Sequence, residues 1–212
     1  MSNLFQKVLR PFVSNETKDK WLRASNQQIL QHWNDSGRPV PAPHLQKQQV
    51  IAGYQKQYGF NVLVETGTFM GDMVEAQKAN FKKIISIELA SELFKKASKR
   101  FEGDKHVTIV QGDSGRVLPP ILKDVQEPAV FWLDGHYSAG ATARGHKDCP
   151  IFEEVDAILA STLLPHVLLV DDARLFIGTG DYPTINELTT YIQNKNPQYK
   201  VEVKDDVIRY TI

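Results

Sequence analysis

From Asn61 onward the apolar residues fall into five short runs separated by helical patterns, and that alternation leaves few architectures open to the chain. The runs are Asn61–Glu65, Lys83–Glu88, Val107–Gln111, Ala129–Leu133 and His166–Val170. Runs this short and rich in Val and Ile predict strands buried on both faces, as a parallel sheet requires. Helical spacing recurs between them, in Leu93/Phe94/Ala97/Phe101, Val117/Ile121/Leu122 and Phe152/Val155/Ile158/Leu159. A further helix follows the fifth run, with Ile185, Leu188 and Ile192. Lys200–Lys204 and Val207–Ile212 then flank Asp205-Asp206, which predicts a closing antiparallel hairpin. The expected fold class is α/β: an open, doubly wound sheet of seven strands, mostly parallel, closed by the hairpin.

The first sixty residues read differently. Leu4, Phe5, Val8, Leu9 and Phe12 recur at helical spacing among Lys7 and Arg10. Such a face suits docking on the chain's own domain or on a second subunit, a membrane surface being its other use. A second helix is expected around Trp21, Ile29 and Trp33, stopping near Ser36-Gly37, and a third from about Leu45 to Tyr58. Between them Arg38-Pro39-Val40-Pro41-Ala42-Pro43 must be extended, because proline lacks the amide a helix needs. The expected division is therefore an N-terminal helical extension with its proline-rich connector over residues 1–44, and the main domain over 45–212. Charge marks a similar asymmetry. Residues 1–60 hold eight Lys or Arg against three Asp or Glu, and residues 61–212 hold seventeen against twenty-two.

Those opposite imbalances cancel to a formal net charge of zero, so nothing advertises a nucleic-acid partner. No stretch approaches the ~18 consecutive apolar residues of a membrane span, and the first residues lack the tripartite layout of a secretory signal. One cysteine, Cys149, excludes an intrachain disulfide and a thiolate zinc cluster. A reducing, cytoplasmic setting is the expectation.

In open α/β sheets ligands sit beyond the carboxyl ends of the strands, where the strand order reverses. Here those ends are acidic. The first strand runs into Glu65-Thr66-Gly67-Thr68-Phe69-Met70-Gly71-Asp72, whose two glycines permit a tight turn and a close approach of ligand to backbone. A carboxylate at Glu65 disfavours a pyrophosphate and suits a cationic ligand or sugar hydroxyls. The second strand ends in Glu88, where nucleotide-binding sheets carry a ribose acceptor, and the third in Gly112-Asp113-Ser114, where an acceptor suits an adenine amino group. Taken singly, each acid also suits a helix cap. Together they point to a shared nucleoside site.

Val64-Glu65-Thr66-Gly67-x-x-x-Gly71, Ile87-Glu88, Gly112-Asp113-Ser114 and Phe131-Trp132-Leu133-Asp134-Gly135-His136 resemble the ordered motifs of class I S-adenosylmethionine-dependent methyltransferases. The resemblance spans about residues 45–212 and includes the terminal hairpin, which separates this Rossmann-like fold from nicotinamide-binding domains. Within the class, Leu133-Asp134-Gly135-His136 and Val170-Asp171-Asp172 are similar to small bacterial O-methyltransferases of the macrocin type and, more distantly, the catechol type. The resemblance implies that Glu65, Gly67 and Gly71 shape the methionine pocket, with Thr66 and Thr68 in the same loop contacting the cofactor. Glu88 would hold the ribose, and Asp113 with Ser114 would face the adenine. Thr68-Phe69 stands where the fuller family pattern has another glycine. The resemblance also implies a divalent cation, Mg²⁺, on Asp134, Asp171 and Asp172; the other reading makes Asp134 or His136 a metal-free base and leaves the aspartate pair as caps. Asp134 would border both cofactor and acceptor.

The segment after His136, rich in small residues, reads as a gating loop, with Tyr137, Arg144 and His146 available to substrate. Arg174 is either a further substrate contact or an ion-pair partner of the nearby aspartates. The function implied is O-methylation of a hydroxylated small molecule, such as a sugar or sugar-containing metabolite. A nicotinamide-dependent oxidoreductase and a non-catalytic nucleoside-binding scaffold are the alternatives; Glu65 and the lack of G-x-G-x-x-G oppose the first. The amphipathic N-terminal arm makes a homodimer an expectation.

Overall fold

In the computed structural model, which describes residues 14–135, 147–161 and 164–212, the apolar runs become strands of one seven-stranded sheet. They are β1 (Val62–Thr66), β2 (Lys83–Glu88), β3 (Val107–Gln111), β4 (Ala129–Leu133) and β5 (Val167–Val170), followed by the hairpin β6 (Lys200–Lys204) and β7 (Val207–Thr211). The spatial order is β3-β2-β1-β4-β5-β7-β6. The first five strands pair in parallel, and β7 lies antiparallel between β5 and β6. The chain steps outward from β1 to β3, then crosses back to place β4 on the other side of β1. The carboxyl ends of β1 and β4 therefore flank the point of reversal, the position where such sheets open a crevice.

Strand alternation feeds two cores. Val62, Val64, Phe131, Leu133, Leu168 and Val170 point to one face, where Leu118, Leu122, Val155, Ile158, Leu188 and Ile192 cover them. Leu63, Ile84, Val130, Trp132, Val167 and Leu169 point to the other, against Val50, Ile51, Met73, Val74 and Phe101. Burying a side chain of this size contributes roughly 1.5–3 kcal/mol, so both faces of the central strands hold the sheet. Burial on both faces, expected for all five runs, fails for β3. It is the sheet edge, and Thr108 and Gln111 stay exposed because no strand pairs beyond them.

The helices are α1 (Asn15–Asp35), α2 (His44–Tyr58), α3 (Asp72–Gln77), α4 (Ser91–Arg100), α5 (Ser114–Leu122), α6 (Ile151–Ser161) and α7 (Ile185–Lys195), with a 3₁₀ turn at Ala173–Leu175. At six residues, α3 is too short to show a periodicity in sequence. α7 starts with a reciprocal cap: Thr184 accepts from the Glu187 amide while the Glu187 carboxylate accepts from the Thr184 amide. α1 packs on the connector through Leu30, Trp33 and Ala42 with Leu45, and the Trp33 indole donates to the Pro39 carbonyl at 2.6 Å. α2 differs, since Val50 and Ile51 enter the sheet core. The amphipathic stretch Leu4–Phe12 lies outside the described residues. None of the described helices is long and apolar enough to cross a membrane.

Candidate active site

β1 carries Glu65 and Thr66 to the reversal point, both almost fully buried. Parallel pairing puts Glu65 opposite Ser86 of β2. The Ser86 hydroxyl donates to the Glu65 carboxyl and lies 2.6 Å from the Thr68 hydroxyl. Burial pushes the Glu65 carboxyl up to about 8; the Ser86 hydrogen bond opposes that shift and Glu88 adds to it. Such a value favours the protonated carboxyl at neutral pH. Ser86 was not among the residues expected here. Its signal was a single polar residue inside Lys83-Ile84-Ile85-Ser86-Ile87-Glu88, in a strand otherwise buried for packing.

The loop after β1 approaches β4 closely. Gly67 has φ +87°, and a Cβ built there would stand 2.3 Å from the Asp134 carbonyl oxygen. Only glycine meets both conditions. The amides of Gly67 and Thr68 donate to the Ile87 carbonyl, and the Asp134 amide reaches the Thr66 hydroxyl at 3.2 Å. The ends of β1, β2 and β4 are thus tied together through Thr66, Gly67 and Thr68. Gly71 begins α3 with φ +80°.

Glu88 caps this loop. One carboxylate oxygen accepts the Phe69 amide at 2.7 Å and the other accepts the Ala90 amide at 2.8 Å. Each carboxylate oxygen has a second lone-pair direction, so a fixed Glu88 retains capacity for two hydroxyls. Asp113 caps α5 by accepting the Gly115 amide at 3.1 Å, and Ser114 opens that helix, mostly buried. A Cβ on Gly135 would lie 3.0 Å from the Thr66 hydroxyl and 3.1 Å from that of Ser114, which joins the ends of β1 and β4 to the start of α5.

Asp134, Asp171 and Asp172 gather beyond β4 and β5. Burial raises the Asp134 carboxyl well above its ordinary range, with repulsion from Asp171, Asp172 and Glu65 adding to it and Lys47 opposing it. Lys47 projects from α2, and its Nζ lies 2.5 Å from Asp171 Oδ2 and 3.2 Å from Asp172 Oδ1. Burial alone would lower the Lys47 pKa; attraction to Asp171, then Asp172 and Asp134, more than reverses this and keeps it an ammonium.

This arrangement corrects the expected Mg²⁺ set of Asp134, Asp171 and Asp172. A divalent cation needs about six oxygen ligands, whereas here an ammonium already faces two of the three carboxylates. Asp171 Oδ1 is also engaged by the Asp172 amide at 2.8 Å. Among the described residues no group of three His, Cys, Asp or Glu side chains is arranged to hold a metal. The residues present do not fit the ion. Lys47 itself escaped the sequence reading because it lies 124 residues from Asp171 in the chain.

Arg174 is held by Asp172 at 2.7 Å and by Asp206. His136, Tyr137, Arg144 and His146 lie outside the described residues. Cys149 is buried, and burial pushes its thiol up to about 12, which suits packing and not nucleophilic attack.

No family model matches the chain, and no curated protein matches it in sequence. Solved structures match its backbone over almost its full length. An O-methyltransferase from Bacillus cereus, solved in complex with SAH, is 12% identical with a TM-score of 0.58, covering 98% of this chain and 96% of its own. TomG, the O-methyltransferase of tomaymycin synthesis from Streptomyces achromogenes, solved with SAM, is 14% identical with a TM-score of 0.55, covering 88% of each chain. An SAH-bound methyltransferase from Podospora anserina is 15% identical with a TM-score of 0.54, covering 94% and 97%. The fold is the Rossmann-like methyltransferase fold. At these identities the likeness is one of backbone, and the methyltransferase fold accounts for both the strand order and the terminal hairpin of the chain.

Proposed function

We propose that the protein is an S-adenosylmethionine-dependent O-methyltransferase acting on a hydroxylated small molecule such as a sugar or sugar-containing metabolite. The single observation that carries this reading is the Glu88 carboxylate. It stands at the end of β2 in a methyltransferase fold, with each oxygen fixed by a backbone amide, of Phe69 or Ala90. That is a pre-organised acceptor for the vicinal hydroxyls of a ribose. Glu65 and the Gly67 loop would receive the amino-acid end of the cofactor, and Asp113 with Ser114 its adenine. When bound, S-adenosylmethionine supplies an electrophilic methyl group on a sulfonium.

The chain's own contribution lies in placement and proton removal. The Asp134 amide is tethered to Thr66 at the end of β1, and its carboxyl would act between the cofactor loop and the acceptor. Its raised pKa makes it a stronger proton acceptor than an ordinary aspartate. Holding the two reactants in line supplies much of the remaining acceleration. His136, two residues on, is the other residue proposed as base.

Calorimetric titration with S-adenosylmethionine and S-adenosylhomocysteine tests the cofactor half directly. Both are expected to bind at micromolar affinity, and Glu88→Ala is expected to weaken each by more than about tenfold, the loss of charge-assisted hydrogen bonds. Absence of binding to the wild-type protein would remove the reading. Unchanged affinity in the variant would remove Glu88 from it.

A further inference from the structure

The acidic cluster beyond β4 and β5 already contains a cation, and that cation is part of the chain. Lys47 sits on α2, one helical turn before Val50 and Ile51, whose burial in the sheet core fixes the helix against Leu63 and Trp132. Its side chain is 15% exposed, that of Asp172 is 13% exposed, and that of Asp171 is fully buried. The ammonium is therefore held by a fully buried carboxylate while its own side chain keeps some exposure. Two of its three N–H donors are accounted for by Asp171 and Asp172, and a third is left for a further oxygen. Arg174 pairs with Asp206 and shares Asp172 Oδ1 with Lys47.

We propose that Lys47 is the resident cation of the acceptor half-site: it takes the place of a divalent metal at Asp134, Asp171 and Asp172, and donates its remaining N–H to an oxygen of the hydroxylated acceptor. The second clause rests on the methyltransferase reading; the first does not. A charge fixed on a helix costs no ion recruitment, and it excludes a second cation from the same carboxylates by repulsion at contact distance. The acceptor then meets a hydrogen-bond donor rather than a Lewis acid.

Mn²⁺ binding, followed by electron paramagnetic resonance on the full-length protein, reads this without any need for a known acceptor. The wild-type protein is expected to bind Mn²⁺ no tighter than about 1 mM. Lys47→Met is expected to gain one equivalent bound at least tenfold tighter, and that gain should vanish in Lys47→Met/Asp171→Asn. Lys47→Arg, which keeps the charge, should behave as wild type. One equivalent of Mn²⁺ on the wild-type protein below about 0.1 mM, lost on Asp171→Asn, would overturn the proposal, as would a folded Lys47→Met no tighter than wild type. If Lys47→Met fails to fold by circular dichroism, the wild-type and Lys47→Arg titrations decide on the same criterion. Calorimetry with S-adenosylhomocysteine on the same wild-type sample separates the two readings. Lost cofactor binding would sink the methyltransferase assignment, and Mn²⁺ binding alone would sink Lys47 as the cation.

Discussion

Glu65 shows how burial tunes one carboxyl. Its proton is retained up to about 8 because the strand ends exclude water and Glu88 stands nearby. If the amino group of the cofactor docks against it, binding must expel that proton, since an ammonium favours the carboxylate. Titrations with S-adenosylhomocysteine at pH 7, run in buffers of differing ionisation enthalpy, should count close to one proton more released by the wild type than by Glu65→Gln. Equal counts would take Glu65 out of the charge recognition. The residues around it were unevenly legible in sequence. Glu65, Gly67 and Glu88 announced themselves as punctuation after apolar runs. Ser86 sat inside such a run and Lys47 on a helix more than a hundred residues from its partners, so neither had a local pattern to betray it.

At the level of elements, the site depends on how closely the β1 loop approaches the β4 loop. Gly67→Ala would place a methyl carbon 2.3 Å from the Asp134 carbonyl oxygen at a φ of +87°. We expect it to destabilise the protein by at least about 2 kcal/mol in urea unfolding and to weaken S-adenosylhomocysteine binding. Gly53, inside α2, provides the contrast, because a Cβ there meets nothing within 4 Å. Gly53→Ala should stabilise by roughly 0.5–1 kcal/mol through helix propensity alone. A neutral Gly67→Ala would mean that the β1 and β4 loops can separate at little cost. Elements of the parallel sheet were legible because each of its five strands is a short, largely apolar run ended or followed by a polar residue. α3 was not, since six residues cannot complete two turns of pattern.

The whole molecule responds to pH through groups that folding has removed from water. His166, just before β5, is buried; its Nδ1 accepts the Ala129 amide at 3.1 Å and its ring meets Phe131 edge-on at 5.0 Å. Burial lowers its pKa from 6.5 to about 4. Between those values the unfolded chain binds the extra proton, so this contribution to stability is present above pH 6.5 and lost as pH falls through 4. Glu65 has the opposite slope: the folded state binds more protons, and stability is lost as pH rises from 4.5 to about 8. His166→Asn, which keeps an acceptor near the Nδ1 position, should flatten the acid limb of the urea midpoint against pH. An acid limb as steep as the wild type's would assign acid unfolding to other groups. At this largest scale the division between sequence and structure is clear. Alternation of apolar runs with helical patterns set the α/β class, the parallel core and the hairpin, because hydrophobic periodicity is a local property that each segment carries by itself. The edge position of β3, the 2.3 Å approach of Gly67 to Asp134 and the seating of Lys47 among carboxylates were decided only by the fold. Those depend on which distant segments the strand order makes neighbours, and Coulomb forces and steric contact act on distance in space, not along the chain.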